Sequence, residues 1–341
     1  MQILDGVIHK NEINANARGG TELMTEELVK RLGNKLEGYQ IIVSRLRDEL
    51  RPDKHRIYIC HDLEKDDETF HLKNDGWKKF HKIVFVSHWQ QQRFLEEYKI
   101  PWSRTAVLRN AIVPIDVDLD KKFSKKKKTI DIIYHTTPHR GLNILVPVFE
   151  KLAESHPELR LHVYSSFKIY GWETRDEDPQ FKALFDKIKK NPQMKYYGSV
   201  SNAEIREVLP KMDIFAYPSI WLETSCISLI EAMSAGLFCI HPNYGALYET
   251  AANWTFMYNY MEDLNQHANY LYNVLDQAVS IMSPRSESLD MKLRGQKSYA
   301  DLYYAWDVRA KEWENLLLHV KQMPVEIETP SVELFSYKPT F

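Results

Sequence analysis

Two glutamates, Glu223 and Glu231, stand eight residues apart around a predicted strand-to-helix turn. The short apolar run 214–217 predicts a buried strand, and the apolar spacing in 227–235 predicts a helix. Glu223 then falls in the loop at the carboxyl end of a strand, where open parallel sheets bind ligands, and Glu231 falls a turn or so into the helix. This arrangement directs two carboxylates toward one ligand site.

The backbone between the two glutamates is suited to an anion. The N–H groups around Cys226, Ile227 and Ser228 lie at the predicted helix start, where they lack partners within the helix and attract negative charge. The turn therefore offers acceptors for hydroxyl groups on either side of a bound phosphate. A nucleotide sugar has this layout.

Several motifs together resemble one family. Pro218-Ser219, then Glu223-x7-Glu231-Ala232, then Gly236 resembles the retaining glycosyltransferases of family 4, which have the GT-B fold. Gly19-Gly20-Thr21-Glu22 resembles the Gly-Gly-x-Glu loop of that family, and Arg140-Gly141 stands where the family usually has Lys-Gly. The resemblance extends from about residue 3 to residue 318. It implies two Rossmann-like α/β domains facing each other across a cleft, with a C-terminal helix that crosses back to the N-terminal domain.

The resemblance also implies roles for single residues. Glu223 would bind hydroxyls of the donor sugar, and Glu231 would bind the ribose hydroxyls. Arg140 would neutralise the diphosphate leaving group, and His61 would contact the transferred sugar or the acceptor. The predicted catalytic residues are Glu223, Arg140 and His61, and the predicted donor-binding residues are Gly19, Gly20, Arg140, Val200, Glu223, Cys226, Ile227, Ser228 and Glu231.

The chain departs from the family pattern at two places. A further arginine is usual in the loop before Arg140, where this chain has Thr136 and Thr137. Arg109 and Lys211 are candidates for the missing cation. Glycines usually follow the first glutamate, where this chain has Thr224-Ser225-Cys226.

The predicted reaction moves a sugar from a UDP- or GDP-linked donor to a hydroxyl of a glycan, lipid or protein-linked glycan. The resemblance implies that the anomeric configuration is retained and that no metal and no other cofactor are needed. The acidic runs 116–120 and 176–178 are interpreted as solvated turns. A non-catalytic protein that binds nucleotide sugar or glycan is the alternative. A glycosidase is disfavoured because hydrolytic carboxylates flank the scissile bond from opposite sides. An NAD-dependent oxidoreductase is disfavoured because no Gly-x-Gly-x-x-Gly follows a strand.

Composition restricts partners and location. The 341 residues suffice for two domains, and the net charge of −2 gives no electrostatic reason to expect nucleic acid. The sequence has neither an apolar run of about 20 residues nor a signal peptide. We therefore expect a cytoplasmic protein without a transmembrane segment, in the host cytoplasm if this compact chain is encoded by a virus or phage, with peripheral membrane contact left open. Three cysteines without a Cys-x-x-Cys pair predict buried thiols.

Apolar runs that alternate with helical patterns predict parallel strands. In the first half the predicted strands are 3–8, 40–44, 56–60, 83–87 and 105–108, with helices at 20–34 and 88–98. In the second half they are 130–134, 160–165, 194–197, 213–217 and 238–241, with helices at 142–155, 179–190, 201–210 and, as one amphipathic helix, 299–320. The predicted acceptor domain is 1–118, together with the crossing helix 299–321, and the predicted nucleotide-sugar domain is 129–298. Residues 114–128 are predicted to be the linker between them, with a solvated charge run at 125–128. Residues 322–341 are predicted to be an extended tail.

Overall fold

The computed structural model describes residues 19–46, 49–124, 127–172, 174–282 and 285–327. Two parallel sheets form the centres of two lobes. The sheet of the first lobe has the order β1-β2-β3-β4, with β1 at Tyr39–Val43, β2 at His55–Cys60, β3 at Lys82–Phe85 and β4 at Thr105–Val107. The predicted strand at 3–8 lies outside the described residues.

The sheet of the second lobe has six parallel strands in the order β10-β9-β8-β5-β6-β7. They are β5 at Ile130–Tyr134, β6 at Leu159–Val163, β7 at Met194–Tyr196, β8 at Ile214–Ala216, β9 at Phe238–Pro242 and β10 at Phe256–Tyr258. The alternating pattern predicted all of them except β10.

The helices include those that connect consecutive strands of the second lobe and the one that connects β3 to β4 of the first lobe, because parallel strands need a crossover connection. In chain order they are α1 at Gly20–Leu32, α2 at His88–Tyr98, α3 at Leu119–Ser124, α4 at Leu142–Ala153, α5 at Pro179–Lys190, α6 at Asn202–Val208, α7 at Ile227–Ser234, α8 at Leu247–Ala251, α9 at Leu264–Met282, α10 at Glu287–Tyr303 and α11 at Trp306–Lys321.

Alternate residues of the first sheet enter two separate apolar clusters, because successive side chains of a strand point to opposite faces. Ile41 and Ile57 pack with Leu28 and Leu32 of α1 on one face of the sheet. Ile42 lies on the other face, in the cluster that includes residues of α2. The second lobe has one large core around its six strands. Residues that follow strands of both sheets, among them His61 after β2 and Tyr164 after β6, line a cleft between the lobes.

The C-terminal helices are divided between the lobes. Leu293 of α10 belongs to the core of the second lobe, whereas Trp313 and Leu317 of α11 belong to the core of the first lobe. The sequence predicted one helix over this stretch, but the helix is interrupted between α10 and α11. There Ala305 forms a parallel bridge with Ile112, so the two segments in which the chain passes from one lobe to the other lie side by side.

The predicted linker 114–128 is not an open connection. The N–H of Ile115 donates to Ser234 Oγ at 2.8 Å, and Lys122 Nζ donates to the carbonyl of Ala235 at 2.9 Å. Residues 119–124 form α3, and Leu119 is buried against the second lobe. The chain therefore passes between the lobes before residue 114. Lys127, predicted to be solvated, instead pairs with two aspartates of the second lobe.

Candidate functional site

A cavity of about 650 Å³ lies between the lobes at the carboxyl ends of their strands, and we call it the cleft cavity. Both lobes contribute to its wall. The structure brings every predicted site residue to this wall: Gly19, Gly20, His61, Arg140, Val200, Glu223, Cys226, Ile227, Ser228 and Glu231.

Two helix starts face each other across the cleft cavity. Within the described residues, neither α1 nor α7 has a side-chain cap on its first N–H groups, and both direct positive dipole ends toward the cavity. A Cβ added to Gly20 would lie 3.0 Å from the side chain of Ile227, so glycine allows this close approach of the lobes. The facing helix starts make a site for an anion.

Glu223 and Arg140 form an ion pair in the second-lobe wall. Arg140 Nη1 donates to Glu223 Oε1 at 2.6 Å, and Tyr217 Oη donates to the same oxygen. Burial opposes the charge on Arg140, but Glu223, Tyr170 and Tyr217 together outweigh burial and hold the pKa of the guanidinium well above its ordinary value. Burial, followed by the charge of Glu223, raises the pKa of Tyr217. Arg140 is thus a permanent cation, partly neutralised by its partner.

Tyr170 connects this pair to the first lobe. Its hydroxyl accepts a hydrogen bond of 2.9 Å from Arg140 Nη2, and its ring lies 3.1 Å from the position that a Cβ on Gly19 would take. The Nε–H of Arg140 is buried without a hydrogen-bond partner in the described part of the chain. A buried N–H of this kind is costly unless a ligand accepts from it.

Glu231 is held by α6. Asn202 Nδ2 donates to both carboxylate oxygens at 3.1 and 3.2 Å, and Arg206 Nη1 donates to Oε1 at 3.1 Å. Burial raises the pKa of the Glu231 carboxyl, although Arg206 and Asn202 favour its charged form. Asn202 and Arg206 share one face of α6 at a spacing of four residues. Together they fix a carboxylate at one end of the cleft cavity.

Val200 lies near an aromatic stack at the same end of the cavity. Tyr164, which lines the cavity, stacks on Tyr197 with ring centroids 4.1 Å apart and planes inclined by 6°. The backbone from Gly198 to Val200 continues the wall beside Tyr164. An aromatic ring beside free backbone groups can hold a flat, polar ring such as a nucleobase.

His61 is the predicted site residue of the first lobe. Its Nδ1 lies 3.3 Å from Ser44 Oγ, and its carbonyl accepts a hydrogen bond of 3.0 Å from Thr224 Oγ1 of the second lobe. Burial and the charge of Arg45 lower the pKa of His61 to about 4, so its imidazole is neutral near pH 7. His61 can therefore exchange a hydrogen bond with a ligand but does not supply positive charge.

Glu249 joins the lobes outside the cavity. Its Oε1 accepts from the N–H of His88 and from Arg109 Nη2, both at 2.9 Å, and its Oε2 accepts from the N–H of Trp89 at 2.8 Å. A second-lobe carboxylate therefore caps the start of α2 in the first lobe. Arg109 is committed to this contact and, like Lys211, does not line the cleft cavity. The structure thus places neither residue where the missing cation was sought.

The acidic runs do not form a metal site in the described residues, where no group of three His, Cys, Asp or Glu side chains has the spacing to hold an ion. Asp176 is not a solvated turn residue. Its Oδ1 accepts from the N–H of Phe167 at 2.8 Å, and its Oδ2 accepts from Ser166 Oγ, so it joins two segments of the loop after β6. The three cysteines are buried free thiols, as predicted.

Sequence reasoning missed five of the residues described above: Tyr164, Tyr170, Asn202, Arg206 and Tyr217. Asn202 and Arg206 carried a weak signal, a polar pair at helical spacing soon after the Tyr197–Val200 turn. Tyr217 ends an apolar run, and this pattern is typical of a core residue. Among the described helices, none is long and apolar enough to cross a membrane.

Part of the chain is similar to a known family and to known proteins. Residues 116–273, under half of the chain, match the family described as Glycosyl transferases group 1. The gpi3 subunit of phosphatidylinositol N-acetylglucosaminyltransferase from Schizosaccharomyces pombe is 26% identical over 168 residues, which are 49% of this chain and 35% of that protein. This chain therefore spans about a third of that relative's length.

Two solved structures share the fold. A glycosyltransferase from Rickettsia africae superposes with a TM-score of 0.64 at 17% identity, covering 91% of this chain and 84% of the other. HepE from Anabaena, solved in complex with UDP, superposes with a TM-score of 0.58 at 15% identity, covering 78% of this chain and 72% of the other. The predicted GT-B fold and the predicted enzyme class, a glycosyltransferase, are confirmed. The chain has the GT-B fold, and its residues 116–273 match the family of group 1 glycosyl transferases.

Proposed function

We propose that this chain transfers a sugar from a nucleoside diphosphate sugar, most simply a UDP-sugar, to a hydroxyl acceptor. One observation carries the proposal. Glu223 and Glu231 flank the uncapped start of α7 inside the cleft cavity, and the uncapped start of α1 faces it from the other lobe. Acceptors for hydroxyls therefore stand on both sides of a site for phosphate.

The donor would extend along the second-lobe wall. The base would lie near Tyr164 and Val200, and the ribose hydroxyls would donate to Glu231. The diphosphate would accept from the N–H groups at the start of α7 and from Arg140. The sugar would then reach Glu223, whose carboxylate is held in the cavity wall by Arg140. Binding of UDP by HepE is consistent with a uridine donor.

The reaction would break the bond between the anomeric carbon and the diphosphate oxygen and form a bond from that carbon to the acceptor oxygen. We propose that both occur on one face of the sugar, so that configuration is retained and the departing phosphate oxygen takes the acceptor proton. Arg140 and the two helix starts would stabilise the charge that develops on the diphosphate. These groups already supply positive charge, so we propose that turnover needs no divalent metal.

The acceptor would enter from the first lobe. His61, Asp62 and Asp66 line that side and provide hydrogen-bonding groups for a molecule with several hydroxyls. The relative from Schizosaccharomyces pombe is named for phosphatidylinositol, which carries such a polyol. We propose a glycan or a glycolipid head group as the acceptor.

A panel of UDP- and GDP-sugars tests the proposal. Release of free nucleoside diphosphate is measured with and without candidate glycan and inositol acceptors, and the anomeric configuration of any product is determined by NMR. We expect release with at least one donor, and we expect Glu231→Ala to weaken its binding by about 10- to 150-fold through lost charge-assisted bonds. Glu154→Gln, an exposed change of the same lobe, serves as the control. Binding of a nucleotide sugar without any turnover would instead favour a non-catalytic binding protein.

A further inference from the structure

Three arginine side chains line the cleft cavity in the described part of its wall. Arg45 is paired with Asp62 at 2.8 Å and lies 3.6 Å from Glu68. Arg140 is paired with Glu223. Arg175 differs from both, because no carboxylate of the described residues forms an ion pair with it and its guanidinium instead rests on aromatic rings.

Arg175 is held in place by the loop after β6. Its Cζ lies 4.4 Å from the ring centroid of Phe167 and 4.9 Å from that of Trp172. Asp176, the next residue, fixes this segment by accepting from the N–H of Phe167. Stacking on two rings orients a guanidinium while leaving its N–H edge free for a planar or oxygen-rich partner.

The same loop connects Arg175 to the phosphate side of the site. Tyr170 bonds Arg140 through its hydroxyl, and its ring contacts Trp172 with centroids 5.2 Å apart. His139, just before Arg140, stacks on Phe167 at 5.3 Å. Burial, then the charges of Arg140 and Arg175, lower the pKa of His139 to about 4. Both guanidinium groups therefore act on one small region of the cavity.

This region needs a second cation. Glu22, Glu223 and Glu231 also line the cavity, and a bound diphosphate adds further negative charge. Arg140 alone is already balanced by Glu223. We propose that Arg175 is a second phosphate-binding residue, whose guanidinium accompanies Arg140 in holding the diphosphate of the donor. This inference rests on the proposed function and assigns a role to a loop outside the motifs of the sequence.

The test compares Arg175→Gln, Arg175→Lys and Lys168→Gln in the full chain. Lys168 is exposed in the same loop and does not line the cavity, so its substitution removes equal charge without the proposed contact. UDP binding is measured by calorimetry, and uridine binding by ligand-observed NMR. We expect Arg175→Gln to weaken UDP binding about 10- to 100-fold while uridine binding is unchanged. Arg175→Lys should keep part of the affinity because it keeps the charge, and Lys168→Gln should bind UDP like the unaltered chain.

Three results would overturn the inference: UDP affinity unchanged in Arg175→Gln, an equal loss for uridine, or an equal loss in Lys168→Gln. An equal loss for uridine would mean that the loop had merely lost its packing. Should Arg175→Gln fail to fold, Arg175→Lys decides, since a bidentate phosphate contact predicts a measurable loss even with charge retained. If the unaltered chain binds no UDP, the proposed function itself fails. If it binds UDP and both Arg175 variants are indifferent, only this inference fails.

Discussion

Replacing Glu223 by glutamine should lower kcat/KM for the sugar donor and strengthen the binding of UDP. The side chain is 5% exposed and accepts from Arg140 and Tyr217. Glutamine keeps the shape and one oxygen acceptor but removes the charge. Because the amide oxygen still accepts from Arg140, the protein should escape most of the roughly 3–5 kcal/mol that complete removal of one partner of a buried ion pair costs.

The magnitudes follow from the loss of one charge. A hydrogen bond to a charged group is worth about 1.5–3 kcal/mol and a neutral one about 0.5–1.5 kcal/mol, so each sugar hydroxyl bound by residue 223 should lose about 1–1.5 kcal/mol. Donor kcat/KM should fall about 5- to 12-fold for each such hydroxyl. UDP, which lacks the sugar, should bind up to about 10-fold more tightly, since Arg140 is released from its carboxylate partner for the diphosphate.

Calorimetry with UDP and steady-state kinetics with the best donor measure the two quantities. Glu154→Gln controls for the change in net charge, because Glu154 is exposed and remote from the cavity. Weaker binding of UDP by Glu223→Gln would refute the view that Glu223 competes with phosphate for Arg140. Unchanged kcat/KM would refute the contact between Glu223 and the sugar.

Three further outcomes are expected. Glu249→Gln should weaken the capping of α2 across the lobes by about 1.5–3 kcal/mol, which small-angle scattering would detect as a larger radius of gyration; an unchanged radius would show that Glu249 does not hold the lobes together. Turnover should survive EDTA, and activity lost to the chelator and restored by Mg²⁺ or Mn²⁺ would show that a metal is required. Burial lowers the pKa values of His61 and His241 to about 4, whereas an unfolded histidine titrates near 6.5, so the unfolded chain binds more protons and the free energy of unfolding should fall as pH drops from about 6.5 toward 4. A constant thermal midpoint between pH 7 and pH 5 would contradict this.

The catalytic and donor-binding residues predicted from the sequence all line one cavity wall, because the signals that pick them out are local. Strand ends, helix starts and the spacing of Glu223 and Glu231 are all readable over about ten residues, and parallel strands must end at a common edge. The partners of those glutamates are not local. Arg140 precedes Glu223 by 83 positions, and Arg206 precedes Glu231 by 25. No periodic pattern reports contacts across such separations.

The predictions of a linker over 114–128 and of one helix over 299–320 were wrong for the same reason. Residues 114–128 have no amphipathic period, yet Leu119 and Lys122 find partners on the second lobe and α3 forms. The helix predicted over 299–320 contains no proline or glycine, and its interruption near Ala305 comes from the bridge to Ile112. In both cases tertiary contacts override local propensity.

A crystal structure of the chain with UDP would show whether the turn that carries Glu223 and Glu231 binds the donor. We expect ribose hydroxyls within about 3 Å of the Glu231 carboxylate and diphosphate oxygens within about 3 Å of both Arg140 and the N–H groups that begin α7. Glu223 should remain free of the nucleotide and face the space where the sugar would lie. UDP bound elsewhere, or bound in the cleft cavity with its ribose away from Glu231, would contradict the assignment of this turn as the donor site.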